Sequence, residues 1–286
     1  MSNFLNMFSY FKKSFARKKA RRVTQEYSPI IDTINLGKYG NIEFANWSNP
    51  LVSNFTIQEQ TVAFFNQFIK PGDLAIDIGA NIGDTTVPIA ICTGVNGLTI
   101  GFDPNPYVFK ILVQNSKLNK GKYRIDPHQF AISVSPDEFY YVSSEASFAN
   151  GGISTTAESK KHGKFVHNKK VQGVNLKSFL EANYMDWVNK LSFIKIDTEG
   201  YDKEILKSIS DLLQKYKPVV IAESFGKASD ADKMELFDVI VNNGYDIYYF
   251  EDFDINLKVE KFKSHFDMIR FRSNINIYAT PININS

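Results

Sequence analysis

Residues 77–84 read DIGANIGD. The apolar run LAI (74–76) precedes them and TTVPIAICT (85–93) follows, so the stretch joins a strand to a helix. Gly79 and Gly83 bracket a tight turn, and a residue without Cβ lets the backbone approach a ligand closely. Amides at the start of the following helix favour a negative group. In open α/β sheets the crevice at the strand C-termini holds the ligand. The next strand, LTIGFDP (98–104), ends in Asp103, about 20 residues past the turn, where an acid suits a ribose hydroxyl pair.

A dinucleotide fingerprint would read G-x-G-x-x-G. Here the pattern is Asp77-x-Gly79-x-Asn81-x-Gly83, with two glycines and a carboxylate before the turn. Asp77 would repel a pyrophosphate but not a cofactor with a positive amino acid end, and this is the pattern of S-adenosylmethionine. The cofactor contacts expected on this reading are Gly79, Ala80, Asn81 and Gly83 in the turn and Asp77 near the amino acid end. Asp103 takes the ribose with Asn105 beside it, and Ala131, within Phe130-Ala131-Ile132, lies near the adenine. The bland alternative is a turn whose glycines only shape the backbone.

Around this turn the chain alternates. Strands are expected at 74–79, 98–104, 123–133, 138–144, 191–197, 219–224, 245–251 and 266–271, with a short one at VQGVNL (171–176). Helices are expected at 56–69, 83–93, 106–119, 177–189, 202–214 and 231–243. Residues 145–170, polar and glycine-containing, read as a long loop, and 34–47 as a hairpin around KYGN. Such alternation predicts a mostly parallel sheet covered on both faces, its last two strands pairing antiparallel.

A second stretch, FIKIDTEGYDKEIL (193–206), crowds Asp197, Glu199, Asp202 and Glu204 into one strand end and helix start. Lys195 and Asp197 point the same way in a strand. Asp202 and Glu204 suit the acidic first turn of a helix. Asp197, Glu199 and Lys195 are the catalytic candidates at the crevice. Glu223, at the end of VVIAES, is expected to face the same crevice as an acceptor-binding group, with Gly152 and His162 from the long loop. Asp197, Glu199 and Glu223 could hold a divalent cation, but nothing in the spacing demands a metal, and hydrogen bonds to sugar hydroxyls are the favoured reading. His162 or His167 could be a base; a solvated loop histidine is the plainer role.

DIGANIGD and FIKIDTEGYDKEIL together resemble the FkbM family of S-adenosylmethionine-dependent methyltransferases. The family pattern has an Asp-x-Gly-Ala-Asn-x-Gly turn, an acidic-Pro-x-Pro turn after the second strand and a Lys-x-Asp-x-Glu-Gly segment. These stand here at 77–83, 103–106 and 195–200. The family more often has Glu where this chain has Asp103. The likeness covers roughly residues 57–275 in element order. It implies a Rossmann-like class I methyltransferase fold: a seven-stranded, mostly parallel sheet with the last strand antiparallel and helices on both faces. It also implies methyl transfer to a hydroxyl of a saccharide, whether glycolipid, surface polysaccharide or sugar-containing metabolite. The alternatives are an NAD-dependent oxidoreductase on the same fold type and a non-catalytic nucleoside- or glycan-binding module.

The organisation expected is a basic amphipathic segment at 1–26, a β-hairpin extension at 27–55 and the methyltransferase domain at 56–286. Residues 1–22 hold seven basic residues and no acid, while the rest of the chain has five more acids than bases. Phe4, Phe8, Phe11 and Phe15 fall on one helical face. The segment could lie on an anionic membrane surface or pack on the body or a partner. Nothing aromatic and basic continues into the body, so no nucleic-acid partner is expected. No secretory signal is read, and the single cysteine, Cys92, leaves no intrachain disulfide. A cytoplasmic location follows as the expectation, with residues 1–22 as a peripheral contact at the inner face of the membrane. Oligomeric state and acceptor identity are not legible.

Overall fold

A computed structural model describes residues 2–158, 162–198 and 200–282. Helix α1 (Ser2–Ala20) leads into a hairpin of β1 (Pro29–Asn35) and β2 (Asn41–Trp47), then α2 (Glu59–Phe65). Next come β3 (Leu74–Ile78), α3 (Thr86–Thr93), β4 (Leu98–Phe102), α4 (Val108–Lys117) and β5 (Ile125–His128). Five short strands follow: β6 (Ala131–Ile132), β7 (Asp137–Ser143), β8 (Gly152–Ser154), β9 (Phe165–Val166) and β10 (Val171–Val174). The chain returns through α5 (Leu176–Asn183) and α6 (Met185–Val188) to β11 (Leu191–Ile196), α7 (Asp202–Ser208), α8 (Ser210–Tyr216) and β12 (Val219–Ser224). It closes with α9 (Asp230–Asn242), β13 (Tyr245–Phe250), β14 (Val259–Lys261), α10 (His265–Ile269) and β15 (Ile275–Pro281).

The main sheet runs β14-β13-β15-β12-β11-β3-β4-β5. Strands β5, β4, β3, β11 and β12 pair in parallel, and β15 is inserted antiparallel between β12 and β13. This is the expected mostly parallel Rossmann-like sheet with its last strand antiparallel; the short edge strand β14 adds an eighth. The sheet separates two apolar layers. Leu74, Ile76 and Ile78 of β3 and Ile194 and Ile196 of β11 face one layer; Ala75 and Phe193 face the other. Strands buried on both faces carry continuous apolar runs, which is why LAI and FI are legible as central strands.

Two expectations are corrected. FDMIRF is not a strand: residues 265–269 form α10, started by a reciprocal capping box between Ser264 and Asp267. The antiparallel partner of β13 is instead the later run INIYATP. Residues 145–170 are not one long loop either. β8 and β9 both pair with β7, which with β6 and β10 builds a second, five-stranded sheet. Strands of two or three residues offer no alternation to read.

The hairpin is docked by two asparagines one helical turn apart. The Asn115 side chain accepts from Ala45 N (2.7 Å) and donates to Ala45 O (3.0 Å); Asn119 does the same for Glu43 at 2.9 and 2.8 Å. They act as a substitute strand along the edge of β2. Asn115 also donates to Ile82 O (2.7 Å), within DIGANIGD, so the hairpin and the glycine turn share one buried side chain. Asn46, the first of two Asn-x-Ser/Thr sites, is buried and bonded to Asp32 and Phe55, a structural role.

Replacing Asn115 strands buried backbone groups of Ala45 and Ile82 without partners. Asn115→Ala is therefore expected to lose about 2–4 kcal/mol in urea unfolding. A loss under about 0.5 kcal/mol would remove the hairpin-docking role.

Candidate active site

Strands β4, β3 and β11 end side by side. Their C-terminal turns, with β6, β7 and β8 of the second sheet, wall a cavity of about 450 Å³. Its lining includes Gly79, Asn81, Asp103, Asn105, Ala131, Gly152, His162 and Asp197, eight of the residues expected from the sequence. Asp103 and Asp197 end the strands on either side of β3, so they stand about 10 Å apart at two strand spacings. Phe130, Ala131 and Ile132 together line the wall assigned to adenine. Phe130 rests on His128, which rests on Phe102, in a stacked column (5.9 and 5.6 Å between ring centroids).

Asp103 is held by backbone amides. Its Oδ2 accepts from Asn81 N (2.7 Å) and its Oδ1 from Asn105 N (2.8 Å). Each oxygen retains a second lone pair for a hydroxyl donor. Burial pushes its carboxyl up to about 7, and the two amide bonds oppose that rise. Asn81 has φ +47°, and this turn is what aims its amide at Asp103. Asn105 spends its side chain elsewhere: it donates to Phe148 O (2.9 Å), tying down the segment that leads to Ala149 and Asn150 in the cavity wall.

Gly79 is sterically fixed. It has φ +79°, and a Cβ there would fall 2.0 Å from the carbonyl oxygen of Asp197. The Asp197 amide donates to Ile78 O (2.9 Å) in the same crossing. Gly83 (φ +101°) is needed for another reason: a Cβ there would press on Leu112 of α4 at 3.2 Å. Neither Gly83 nor buried Ala80 lines the cavity; both shape the turn and its packing.

Asp77 also departs from expectation. It is 0% exposed and does not line the cavity. Its Oδ2 accepts from the hydroxyls of Thr85 (2.8 Å) and Thr86 (2.7 Å), and its Oδ1 meets Lys195 Nζ at 3.3 Å. Strand pleating puts Asp77 and Lys195 on the face of Ala75 and Phe193, and the register sets them directly opposite each other. Asp77 is thus the anion at the start of α3. Lys195, 3% exposed, is likewise outside the cavity. It joins Asp77 to Asp197 (3.4 Å), so it holds Asp197 from behind the cavity wall and does not itself line the cavity. Burial lowers its pKa, but Asp77, Asp197 and Asp84 outweigh that and hold the ammonium above the ordinary lysine range.

Glu223 does not reach this cavity. Its Oε1 accepts from Asn274 (2.9 Å), and it lines a smaller cavity of about 230 Å³ with Gly200, Ser224 and Phe225. The reason is position: β12 lies one strand beyond β11, and the 198–201 segment presents Thr198 and Tyr201 to the first cavity but Gly200 to the second. Glu199 lies outside the described residues. Asp202 begins α7 as expected but is buried. It accepts from Thr198 Oγ1 (2.8 Å) and Glu223 N (3.1 Å), stapling the β11 turn to β12, and burial pushes its carboxyl to about 6. His162 packs over Gly152, where a Cβ would meet its ring at 2.4 Å. His167 packs edge-on to Tyr107 and Phe148 and is not in the lining.

Three kinds of residue escaped the sequence reading. Phe139 and Tyr141 of β7 line the cavity, and their strand was seen without its sheet. Thr198 and Tyr201 flank the undescribed Glu199. Asp84, the last letter of DIGANIGD, belongs to the Lys195 charge cluster: burial pushes its carboxyl up to about 6 while Lys195 pulls it down. An acid directly after Gly83 was the available signal.

Removing one member of a buried ion pair leaves an uncompensated charge. Lys195→Met should lose about 3–5 kcal/mol of unfolding free energy. Combined with Asp77→Asn, the loss should fall well short of the sum of the single losses. Additive losses would mean that the two side chains do not share their stabilisation.

The family model of the methyltransferase FkbM domain matches residues 77–268. A hexuronic acid methyltransferase, AglP of Haloferax volcanii, is 28% identical over 164 residues, which is 57% of this chain and 61% of that protein. The chain thus spans less than two thirds of that relative's length. Among solved structures, the methyltransferase FkbM of Methylobacillus flagellatus superposes with a TM-score of 0.44 at 14% identity, over 76% of this chain and 50% of that one. A transferase of Pyrococcus horikoshii gives 0.41 at 13% identity, over 90% and 74%. Both ends of the site, DIGANIGD and the β11 turn, lie inside the matched span, and the chain belongs to the FkbM methyltransferase family.

Proposed function

We propose that the protein uses S-adenosylmethionine to methylate a hydroxyl of a saccharide, with a hexuronic acid-type sugar as the first acceptor to try. The observation that carries this reading is the pair of acids at the strand ends. Asp103 is fixed by two amides beside an aromatic wall, and Asp197 stands on the opposite side of Gly79 in the same cavity. A cavity of about 450 Å³ suits a cofactor-sized ligand. Asp103 would accept from the ribose hydroxyls, with Phe130-Ala131-Ile132 against the base. Asp77, buried before α3, disfavours a pyrophosphate there and so argues against the NAD-dependent oxidoreductase reading. The hexuronic acid activity of the Haloferax relative supports a sugar acceptor.

When bound, S-adenosylmethionine supplies a methyl group already activated on a sulfonium. The chain's own contribution is then position and proton removal. Asp197, with its side chain 48% exposed, is the acid that both reaches the cavity and is held by a buried cation. It would take the acceptor hydroxyl's proton while Lys195 fixes its Oδ2. His162 and Gly152, on the second sheet's side, would contact the sugar.

Calorimetric titration tests the cofactor. S-adenosylhomocysteine should bind and NAD should not; heat from NAD alone would return the oxidoreductase reading. Asp197→Asn should keep S-adenosylhomocysteine affinity but lower turnover about 10²–10⁴-fold. Wild-type turnover would leave Asp197 with a structural role only.

Asp103 gives a pH signature. Its folded carboxyl titrates near 7, above the ordinary value near 4, so between those values the folded protein holds the extra proton. Raising the pH through that window therefore costs stability in the ligand-free protein, while it creates the carboxylate that accepts ribose hydroxyls. Affinity for S-adenosylhomocysteine should rise about tenfold per pH unit below 7 and level off above it. Asp103→Asn should flatten the profile. A flat wild-type profile would exclude Asp103 as the ribose acceptor.

A further inference from the structure

The site leaves one conspicuous feature unused. Helix α1 carries Phe11 and Phe15 one turn apart on one face, and the sequence spacing continues the same pattern at Phe4 and Phe8. Phe15 is 71% exposed and Phe11 61%, the first and third most exposed of the large apolar side chains among the described residues. Lys12, Lys13, Arg17, Lys18 and Lys19 of the same helix are all exposed. Contact with the body runs through another part of the helix. Ala20 is fully buried, Ala16 one turn earlier is half-buried, and Arg17 Nε donates to Pro50 O (3.2 Å). Phe11 and Phe15 therefore lie on a different face of the helix from Ala16 and Ala20, which dock on the body.

We propose that α1 is a membrane-docking helix that lays its phenylalanine stripe into the surface of an anionic lipid bilayer. Phenylalanine buried at the headgroup–acyl boundary, with lysine and arginine stems reaching back to lipid phosphates, is the arrangement that holds an in-plane helix. Each basic residue adds attraction that depends on negative lipid. Charge selects this occupant. A second copy would set seven basic residues against seven with no acid between them. A nucleic acid would satisfy the charge but leave the phenylalanines in water. No helix among the described residues is long and apolar enough to cross a membrane, so the contact is peripheral.

The helix is not an isolated tether. Ser147 N donates to Ala20 O (3.0 Å) and Ala146 N to Arg21 O (3.3 Å). These residues begin the segment that Asn105 holds through Phe148 and that supplies Ala149 and Asn150 to the cavity. Docking therefore fixes the cavity wall relative to the bilayer. The docking proposal itself does not depend on which acceptor is methylated.

The test is co-sedimentation of the full chain with vesicles of phosphatidylcholine alone or with about 30 mol% phosphatidylglycerol. Wild type should partition at least about tenfold more strongly onto the anionic vesicles and be released by high salt. Phe11→Ser with Phe15→Ser, and separately Lys12→Glu with Lys13→Glu, should each reduce partitioning about tenfold. Both should retain the wild-type circular dichroism and S-adenosylhomocysteine titration. Equal partitioning onto neutral and anionic vesicles, or undiminished partitioning of both variants, would overturn the proposal. So would a doubled mass in light scattering without vesicles that the phenylalanine variant abolishes, or retention on homopolymer RNA without vesicle binding.

Discussion

The site depends on one buried cation. Lys195 lies between Asp77 and Asp197 in the apolar layer beneath α3, with the Thr85 and Thr86 hydroxyls closing the other side of Asp77. Desolvating such charges costs more than any one neighbouring side chain returns, so the cluster stands only because each member has its partners. It fixes three things together: the register of β3 on β11, the start of α3 and the direction of Asp197. Gly79 meets the Asp197 carbonyl beside it, so the two motifs that name the family are also two halves of one contact.

This explains what was legible. LAIDIG and FIKID are continuous apolar runs because their strands are buried on both faces, and the acids within them are conspicuous against that background. That Phe130-Ala131-Ile132 and Asp103 line one cavity follows from where strands end in such a sheet. Asp77 and Lys195 stand at the expected strand positions, but their partners are each other, Thr85, Thr86 and Asp197. Sequence shows that an acid precedes the turn, not that two threonines and a lysine already satisfy it. Glu223 lines the neighbouring cavity because one strand spacing separates adjacent crevices, and no residue pattern encodes which one a side chain enters.

The second sheet was the least legible part and it matters to the site. Its strands β8 and β9 are too short for periodicity, yet Phe139, Tyr141 and Gly152 to Ser154 come from it. It covers the cavity from the side opposite the β3 turn. Ile132 and Val174 pack it on the main core, and single hydrogen bonds tie its 146–148 segment to Asn105 and to the end of α1: Asn105 to Phe148, Ser147 to Ala20, Ala146 to Arg21. The central strands form one side of the cavity and the second sheet the other.

Asp77 and Lys195 are 118 positions apart in the chain. During synthesis β3, α3 and β4 are complete long before β11 exists. At about 5–20 residues per second, roughly 6–24 s pass between the addition of Asp77 and that of its lysine. Over that interval Asp77 has only the Thr85 and Thr86 hydroxyls as partners and lacks its counter-ion. The part of the cavity wall that follows β11, Asp197 and Thr198, can form only once that strand has been made.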